Sequence, residues 1–348
     1  MALDRIDVIN QRRLFLADKR FEEAYAIERQ FLQENPDDIQ FLYLASLTAK
    51  KLGQGEESRR LRAASDERYR LRQVHSQNKN KRRVKALVED ATRDHDLYQV
   101  SSAFDHLDLI DAYDLDDVPL WPIHNDLSAQ NGDIAELHGF GRFRVGDIEH
   151  VLNKRLSRGL PWEAPIAVAL MELASRLSEQ AVILDIGANI GTITIPTART
   201  FNGRVFAFEP FAANADVLAD NLELNKLNNV ELRRTACGAQ PGRVSLDNPD
   251  PNNPGMVHIS SLSGGDVAMT TIDAEMGDHN VGLVKMDVEG HEFEVLKGMT
   301  ETVERCAPIL ICEMIQGQSR PVRDLLAAWN YSGGTLFRSD WLFFKASS

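Results

Sequence analysis

Residues 185–191 read Asp-Ile-Gly-Ala-Asn-Ile-Gly and follow directly on the apolar run Ala181 to Leu184. Gly187 and Gly191 carry no side chain, so the backbone of this bend can lie close to a bound molecule. Glu209 follows Gly187 by 22 residues and closes a second apolar run, Arg204 to Phe208. A carboxylate placed there accepts both hydroxyls of a ribose in nucleotide-binding folds, so the pattern asks for a nucleoside. The Gly-x-x-x-Gly spacing is not the Gly-x-Gly-x-x-Gly of dinucleotide sites, where helix-terminal N–H groups hold a pyrophosphate. S-adenosylmethionine has no phosphate; it carries an ammonium, a carboxylate and a sulfonium. Asp185 suits that cationic end, directly or by orienting the bend. On these residues alone the methyl donor is favoured over NAD, and both stay open.

Groups of this kind need parallel strands to hold them. AVILDI (181–186), RVFAFEP (204–210) and VELRRTAC (230–237) are β-branched and aromatic runs. Between them, residues 190–200 and 211–229 read as helices, the second with Leu218, Leu222 and Leu224 on its apolar side. Pro196 distorts the first helix unless that helix starts late. The alternation predicts an α/β fold with a doubly wound parallel sheet, ligands lying at the carboxyl ends of the strands where strand order reverses. Further on, a strand ends at Asp287, a turn holds Gly290, and a helix starts at about His291. PILICEM (308–314) is another strand, ending at Glu313. Lys285 lies inside an apolar strand and must find a partner, for which Glu313 is the candidate. The runs TLFR and WLFFKA on either side of Ser339-Asp340 predict an antiparallel hairpin that closes the sheet.

In chain order, WEAP (162–165), DIGANIG (185–191), FAFEP (206–210), Ser260-Ser261-Leu262, TTIDAEMG (270–277) and LVKMDVEGHEFEVLKGM (283–299) resemble the FkbM-type methyltransferases. The likeness spans about Gly159 to Met314. It implies a Rossmann-like methyltransferase sheet, S-adenosylmethionine as cofactor, and methyl transfer to a hydroxyl of a sugar, glycan or secondary metabolite. It maps the cofactor site onto Asp185, Gly187, Ala188, Asn189 and Gly191, with Glu209 on the ribose. Phe211 is read as covering the adenine face or packing at a helix start. Glu163 is read as approaching the methionine end or capping a surface helix.

Displacement at a sulfonium methyl leaves a neutral group, so the protein mainly aligns the reactants, worth about 7–11 kcal/mol at best. A general base adds about 10²–10⁴-fold for a hydroxyl acceptor. Asp287, Glu289 and His291 surround the strand end where that base belongs. Asp287 is the first choice to face methyl and acceptor. His291, ordinarily titrating near about 6.5, is a second base candidate or a solvated helix-start residue. Glu289 and Glu292 also suit the dipole of the following helix. Asp287, Glu289 and Glu313 could imitate an oxygen-ligand set for Mg²⁺, but no metal is expected, because the chain after Glu313 reads MIQGQSR and offers no dedicated carboxylate cluster.

The first third reads as paired helices: Arg5 to Ala17, Phe21 to Glu34, Ile39 to Leu52, and a fourth from Gly55 through Gln73. Pro36 stops the second helix, and Asp37 or Asp38 caps the third. Phe21, Ala24, Phe31 and Pro36, then Leu42, Ala45, Gly53 and Ser58, resemble the tetratricopeptide repeat. About one and a half repeats are too few to stand alone, so this all-α, repeat-like part is expected to pack on the next domain or on a second subunit. The domain boundaries expected are 1–85 for the helices, 86–158 for an acidic linker with short helices and strands, and 159–348 for the methyltransferase-like part. Trp121 and Phe140 are core anchors of the middle segment.

Between Lys51 and Lys85 stand twelve Lys or Arg against four Asp or Glu; between Ala86 and Asp126 stand eleven Asp or Glu against one Arg. This reads as a solvated helix face followed by an acidic surface segment, or as two blocks that attract each other within a chain or across a dimer. Over all 348 residues the net charge is −13, which argues against a nucleic-acid binder. No run reaches the ~18 apolar residues of a membrane span. Asp4, Arg5, Asp7 and Arg12 interrupt the start, which is not read as a secretory signal. Cys237, Cys306 and Cys312 form neither a disulfide framework nor a metal motif, and a reducing cytoplasm fits them as core residues. Two rival functions are an interaction module whose methyltransferase-like half no longer turns over, and an NAD-dependent oxidoreductase.

Overall fold

The computed structural model describes residues 18–93, 134–146, 151–157, 159–248, 257–262, 264–315 and 319–345, with positions 8, 11–12, 14–16 and 106. The chain divides into two compact units, Met1–Gln77 and Asn78–Ser348. The first holds α1 (Phe21–Glu34), α2 (Ile39–Lys51) and the start of α3 (Gly55–Thr92). Asp38 caps α2, accepting from the Phe41 N–H at 2.9 Å. The rings of Phe31 and Phe41 lie 4.1 Å apart, beside the fully buried Ala24, Ala45 and Ala49, whose small side chains bring the two helices close. Glu28 is buried among them, accepting from Thr48 Oγ1 at 2.9 Å and pairing with Arg12. The helix expected over Arg5 to Ala17 lies mostly outside the described residues.

α3 does not stop at Gln73, as the sequence reading expects, but continues to Thr92. No Gly or Pro interrupts the basic run that follows, and Val84, Val88 and Ala91 recur at helical spacing and join the core of the second unit. Most of the acidic segment, Trp121 included, lies outside the described residues. Within it, the His106 N–H donates to Glu172 Oε1 at 2.6 Å.

The second unit opens with a hairpin, β1 (Ile134–Leu137) and β2 (Gly141–Arg144), then α4 (Val151–Leu156) and α5 (Ala164–Ala174). The doubly wound part follows: β3 (Val182–Ile186), α6 (Thr194–Thr200), β4 (Arg204–Phe208), α7 (Ala212–Leu224) and β5 (Val230–Arg233). An inserted group comes next, with β6 (Ala236–Cys237), β7 (Gly242–Asp247), β8 (His258–Ser261), β9 (Val267–Thr270) and α8 (Ile272–Met276). The chain returns through β10 (Val281–Met286), α9 (Glu292–Lys297), α10 (Thr300–Cys306), β11 (Ile309–Glu313), α11 (Ser319–Ala328), β12 (Tyr331–Phe337) and β13 (Asp340–Lys345).

Seven strands form the main sheet in the order β12-β13-β11-β10-β3-β4-β5. β3 lies parallel to both β4 and β10, and β13 runs antiparallel to β11 and β12, which is the closing hairpin expected. Strand order reverses between β3 and β10. Alternate residues feed two cores. Ile183, Val205, Leu283 and Ile311 pack on one face, while Leu184, Phe206, Val284 and Leu310 pack on the other.

α6 starts at Thr194 rather than Ile190. Pro196 thus falls in the first turn, where its missing N–H costs no hydrogen bond. VELRRTAC is not one strand: β5 stays in the main sheet, and β6 passes to a four-stranded sheet of order β6-β9-β7-β8. Arg233 and Arg234 mark the break, paired with Glu231 at 2.7 Å and Asp216 at 2.7 Å.

Phe140 is buried as expected, in the turn of the β1–β2 hairpin. Asn221 of α7 and Asn225, the residue that ends it, satisfy the outer edge of β2. The Arg142 N–H donates to Asn225 Oδ1 at 2.9 Å, and the Arg144 N–H donates to Asn221 Oδ1 at 2.7 Å. Asn221 Nδ2 also donates to the Ile190 carbonyl at 2.9 Å, so this fully buried side chain ties the hairpin to the bend after β3. Asn221→Leu strands a donor and an acceptor, and the expected loss of stability is about 2–4 kcal/mol. Urea unfolding checks this, and a midpoint equal to the parent's would show that packing alone holds the hairpin.

Candidate active site

β3 delivers Asp185 near its carboxyl end, and the chain then folds back on itself. Gly187 has φ +86°, and a Cβ on it would stand 1.7 Å from the Asp287 carbonyl oxygen. The N–H groups of Gly187 and Ala188 both donate to the Phe208 carbonyl at 3.0 Å, and the Asp287 N–H donates to the Ile186 carbonyl at 2.9 Å. The bend is thereby stitched to the ends of β4 and β10 at the switch point. Gly191 departs from the sequence reading. Its φ is +89°, and a Cβ there would lie 2.5 Å from Leu218 Cδ1. It lets the bend pack on α7 and does not line the cavity.

Asn189, at φ +50°, donates its N–H to Glu209 Oε2 at 2.8 Å. Its own Oδ1 is buried with no hydrogen-bond partner among the described residues. The other oxygen of Glu209 accepts from the Phe211 N–H at 2.8 Å. Burial pushes the Glu209 carboxyl up to about 7 in spite of those two N–H groups. Phe211 is the N-cap residue of α7; its backbone steadies Glu209, and the residue does not line the cavity. Asp185 is buried, pushed up by that burial and eased by the hydroxyl of Thr194.

Glu163 precedes α5 at φ +48°. It makes no side-chain cap, contrary to the capping alternative, and faces the cavity. That cavity has a volume of about 200 Å³ and gathers Glu163, Asp185, Gly187, Ala188, Asn189, Glu209, Asp287, Glu289 and His291, with Trp162, Asn214 and His258 beside them.

The turn after β10 supplies the remaining groups. Glu292 is not merely a dipole partner: it is buried, and its Oε1 accepts from the N–H groups of Val288 at 3.1 Å and Gly290 at 3.2 Å. This clamp holds Glu289 in the left-handed region, φ +52°. Burial, then Asp287 and Glu292, push the Glu289 carboxyl up to about 7. Burial pushes His291 down, which keeps its ring neutral. A Cβ on Gly238 would lie 3.2 Å from His291 Nε2.

The partner of Lys285 is not Glu313. Its Nζ lies 3.0 Å from Asp287 Oδ2 and 3.9 Å from Asp340 Oδ1. Burial alone would push this ammonium down, but Asp287, Asp340, Glu163 and Asp185 more than offset it and hold it above its usual range. Glu313 lines the cavity, pushed up to about 9 by burial and by Asp287 and Glu289. Sequence reasoning missed Thr194, Asn214, His258 and Asp340. Only Asp340 left a signal, as the first residue of a strand set against β11. Among the described residues no group of three or more His, Cys, Asp or Glu is arranged to hold a metal, and no helix is long and apolar enough to cross a membrane.

A family model described as the methyltransferase FkbM domain matches residues 185–332. The hexuronic acid methyltransferase AglP of Haloferax volcanii is 34% identical over 180 residues, which cover 49% of this chain and 70% of that protein. This chain belongs to the FkbM methyltransferase family. Methyltransferase 1 of Beauveria bassiana is 25% identical over 149 residues, 35% of this chain and 60% of that one. The crystal structure of methyltransferase FkbM from Methylobacillus flagellatus KT aligns with a TM-score of 0.37 at 23% identity, over 49% of this chain and 44% of that chain. In this FkbM methyltransferase the matched segment runs from Asp185 past Glu313, while Glu163 and Asp340 lie outside it.

Two outcomes follow from the geometry. Gly187→Ala must push β10 away from the bend, so the variant should unfold at lower urea than the parent; an unchanged midpoint would contradict the close approach. Glu209 binds its proton more tightly folded, at about 7, than at its ordinary 4.5. The ligand-free protein is therefore most stable below about pH 4.5 with respect to this group, and loses about 3 kcal/mol as pH rises through about 7. Melting curves from about pH 5 to about pH 8 read this loss, which Glu209→Gln should remove.

Proposed function

We propose that this methyltransferase uses S-adenosylmethionine to methylate a hydroxyl group of a sugar or glycan in the cytoplasm. The observation that carries the reading is the joined pair of strand ends. Glu209, with each oxygen anchored by a backbone N–H, faces the same cavity as Asp287 across the Gly187 bend. The sugar class rests on the relative named a hexuronic acid methyltransferase.

The residues present fit the donor. Each Glu209 oxygen accepts one N–H and keeps a lone pair for a ribose hydroxyl. The orphaned Asn189 Oδ1 is an acceptor in want of a donor such as a hydroxyl or amine. Glu163 and Asp185 supply negative charge for a cationic methionine end. When bound, S-adenosylmethionine supplies an electrophilic methyl group on a sulfonium whose departure leaves a neutral thioether.

The chain's own work is then alignment and proton removal. Asp287, oriented by Lys285 at 3.0 Å, takes the proton of the acceptor hydroxyl. Glu289 and Glu313, both raised, serve as hydrogen-bond donors while protonated. His291, kept neutral, bounds the acceptor side.

Calorimetry with S-adenosylmethionine and a thermal-shift comparison of S-adenosylhomocysteine with NAD⁺ test the donor. At a concentration about 100 times its Kd, S-adenosylhomocysteine should stabilise the protein by about 2.7 kcal/mol, and NAD⁺ should not. Asp185→Ala should abolish donor binding; parent-like affinity in that variant counts heavily against the reading. Mass spectrometry of hexoses and hexuronic acids incubated with enzyme and donor tests the acceptor class. With an acceptor in hand, Asp287→Asn should slow transfer by about 10²–10⁴-fold at unchanged donor affinity. Undiminished turnover would remove Asp287 from the role of base.

A further inference from the structure

Lys285 is the one charge in a strand whose every residue is buried. Its ammonium is 3% exposed and lies between two carboxylates of different standing. Asp287, at 3.0 Å, faces the cavity. Asp340, at 3.9 Å, is 4% exposed and does not line it. Its Oδ1 accepts no hydrogen bond among the described residues. A carboxylate buried in that way is costly unless a charge compensates it, and Lys285 is that charge.

The strand register adds a second link. Asp340 stands opposite Glu313 in the β11–β13 ladder, and Ser339, just before it, donates its hydroxyl to Glu313 Oε1 at 3.3 Å. Glu313 lines the cavity beside Asp287, and its Oε2 is buried with no hydrogen-bond partner among the described residues. The closing hairpin therefore touches the Asp287–Glu313 pair twice, through the ammonium and through a hydroxyl.

We propose that Asp340 is a positioning residue for the acceptor end of the site, fixing the Lys285 ammonium where it orients Asp287 against Glu313. This rests on the reading of Asp287 as the base. Asp340 and Ser339 both lie beyond the matched family segment, which ends at residue 332.

The charges around the cluster agree with it. A carboxyl buried beside other carboxylates ionises less readily and holds its proton to higher pH. Burial, Asp287 and Glu289 raise Glu313 to about 9, with Asp340 adding to the same direction. Glu313 thus keeps its proton near neutrality. Asp340 itself is raised to about 6 by burial, with Lys285 and Arg338 lowering it and Asp287 and Glu292 raising it. Glu163 before α5 and Asp185 on β3 complete the ring of charge about Lys285.

NMR of the full chain labelled at the glutamate carboxyl tests the proposal without an acceptor. Glu313 is identified as the resonance with an alkaline midpoint that Glu313→Gln removes. Lys285→Gln should raise that midpoint, and the shift that Asp340→Asn produces should differ by about half a pH unit or more between the parent and the Lys285→Gln background. A direct effect of the Asp340 charge on Glu313 gives the same shift in both backgrounds, whereas a role exerted through the ammonium does not. Equal shifts in the two backgrounds overturn the proposal. So does an Asp340→Asn chain that does not fold, since Asp340 would then serve packing. An Asp287→Asn enzyme that still methylates would sink the general-base reading while leaving the titration intact, so the two failures are told apart.

Discussion

The seam between β3 and β10 is the constraint on which the site depends. Gly187 meets the carbonyl of Asp287 at a distance that admits no side chain, and the Asp287 N–H returns a hydrogen bond to Ile186. Two strand ends are locked there, each beside a group that lines the cavity: Asn189 after the bend on one side, Asp287 on the other. Because strand order reverses at that seam, the helices that follow the two strands depart to opposite sides and leave a crevice over it. Every cavity-facing carboxyl except Glu163 hangs from a strand end, or the turn after it, beside that seam.

Electrostatics explain why so many acids tolerate one another. Glu209, Glu289 and Glu313 are all raised, chiefly by burial, so part of the nominal negative charge is carried as neutral carboxylic acid. Lys285 offsets part of the remainder from inside the sheet. A cation entering the cavity would make ionisation of these groups easier, because an opposite charge favours the charged form of a carboxyl. The same groups in the empty cavity cost stability. A cavity lined by raised carboxyls is therefore strained while it holds no cation, in the ordinary sense that binding residues are not chosen for stability.

Much of this was legible in the sequence. The glycine bend, Glu209 and Asp287 stood out because each breaks an apolar run at a strand end, a local signal. The late start of α6 followed from Pro196 alone. What escaped detection was non-local. Gly191 looked like a ligand-side glycine, and only the neighbouring α7 shows that Leu218 needs the space. The division of VELRRTAC between two sheets depends on pairing with β9, far along the chain. Glu313 seemed the natural partner of Lys285 because both lie on neighbouring parallel strands, but alternation along a strand says nothing about the strand beyond, and Asp340 comes from there.

That placement follows from strand direction. Parallel strands present their carboxyl ends on one edge of a sheet, and the switch-point crevice lies on that edge. An antiparallel strand among them presents its beginning there instead. β13 starts at Asp340 and pairs that residue with Glu313, the last residue of β11. The turn before it brings Ser339 to the same place. A sheet closed by such a strand can therefore send the first residues of its closing hairpin to the edge where its other strands send their last. Functional residues in this fold are to be sought at the start of the antiparallel strand as well as at the ends of the parallel ones.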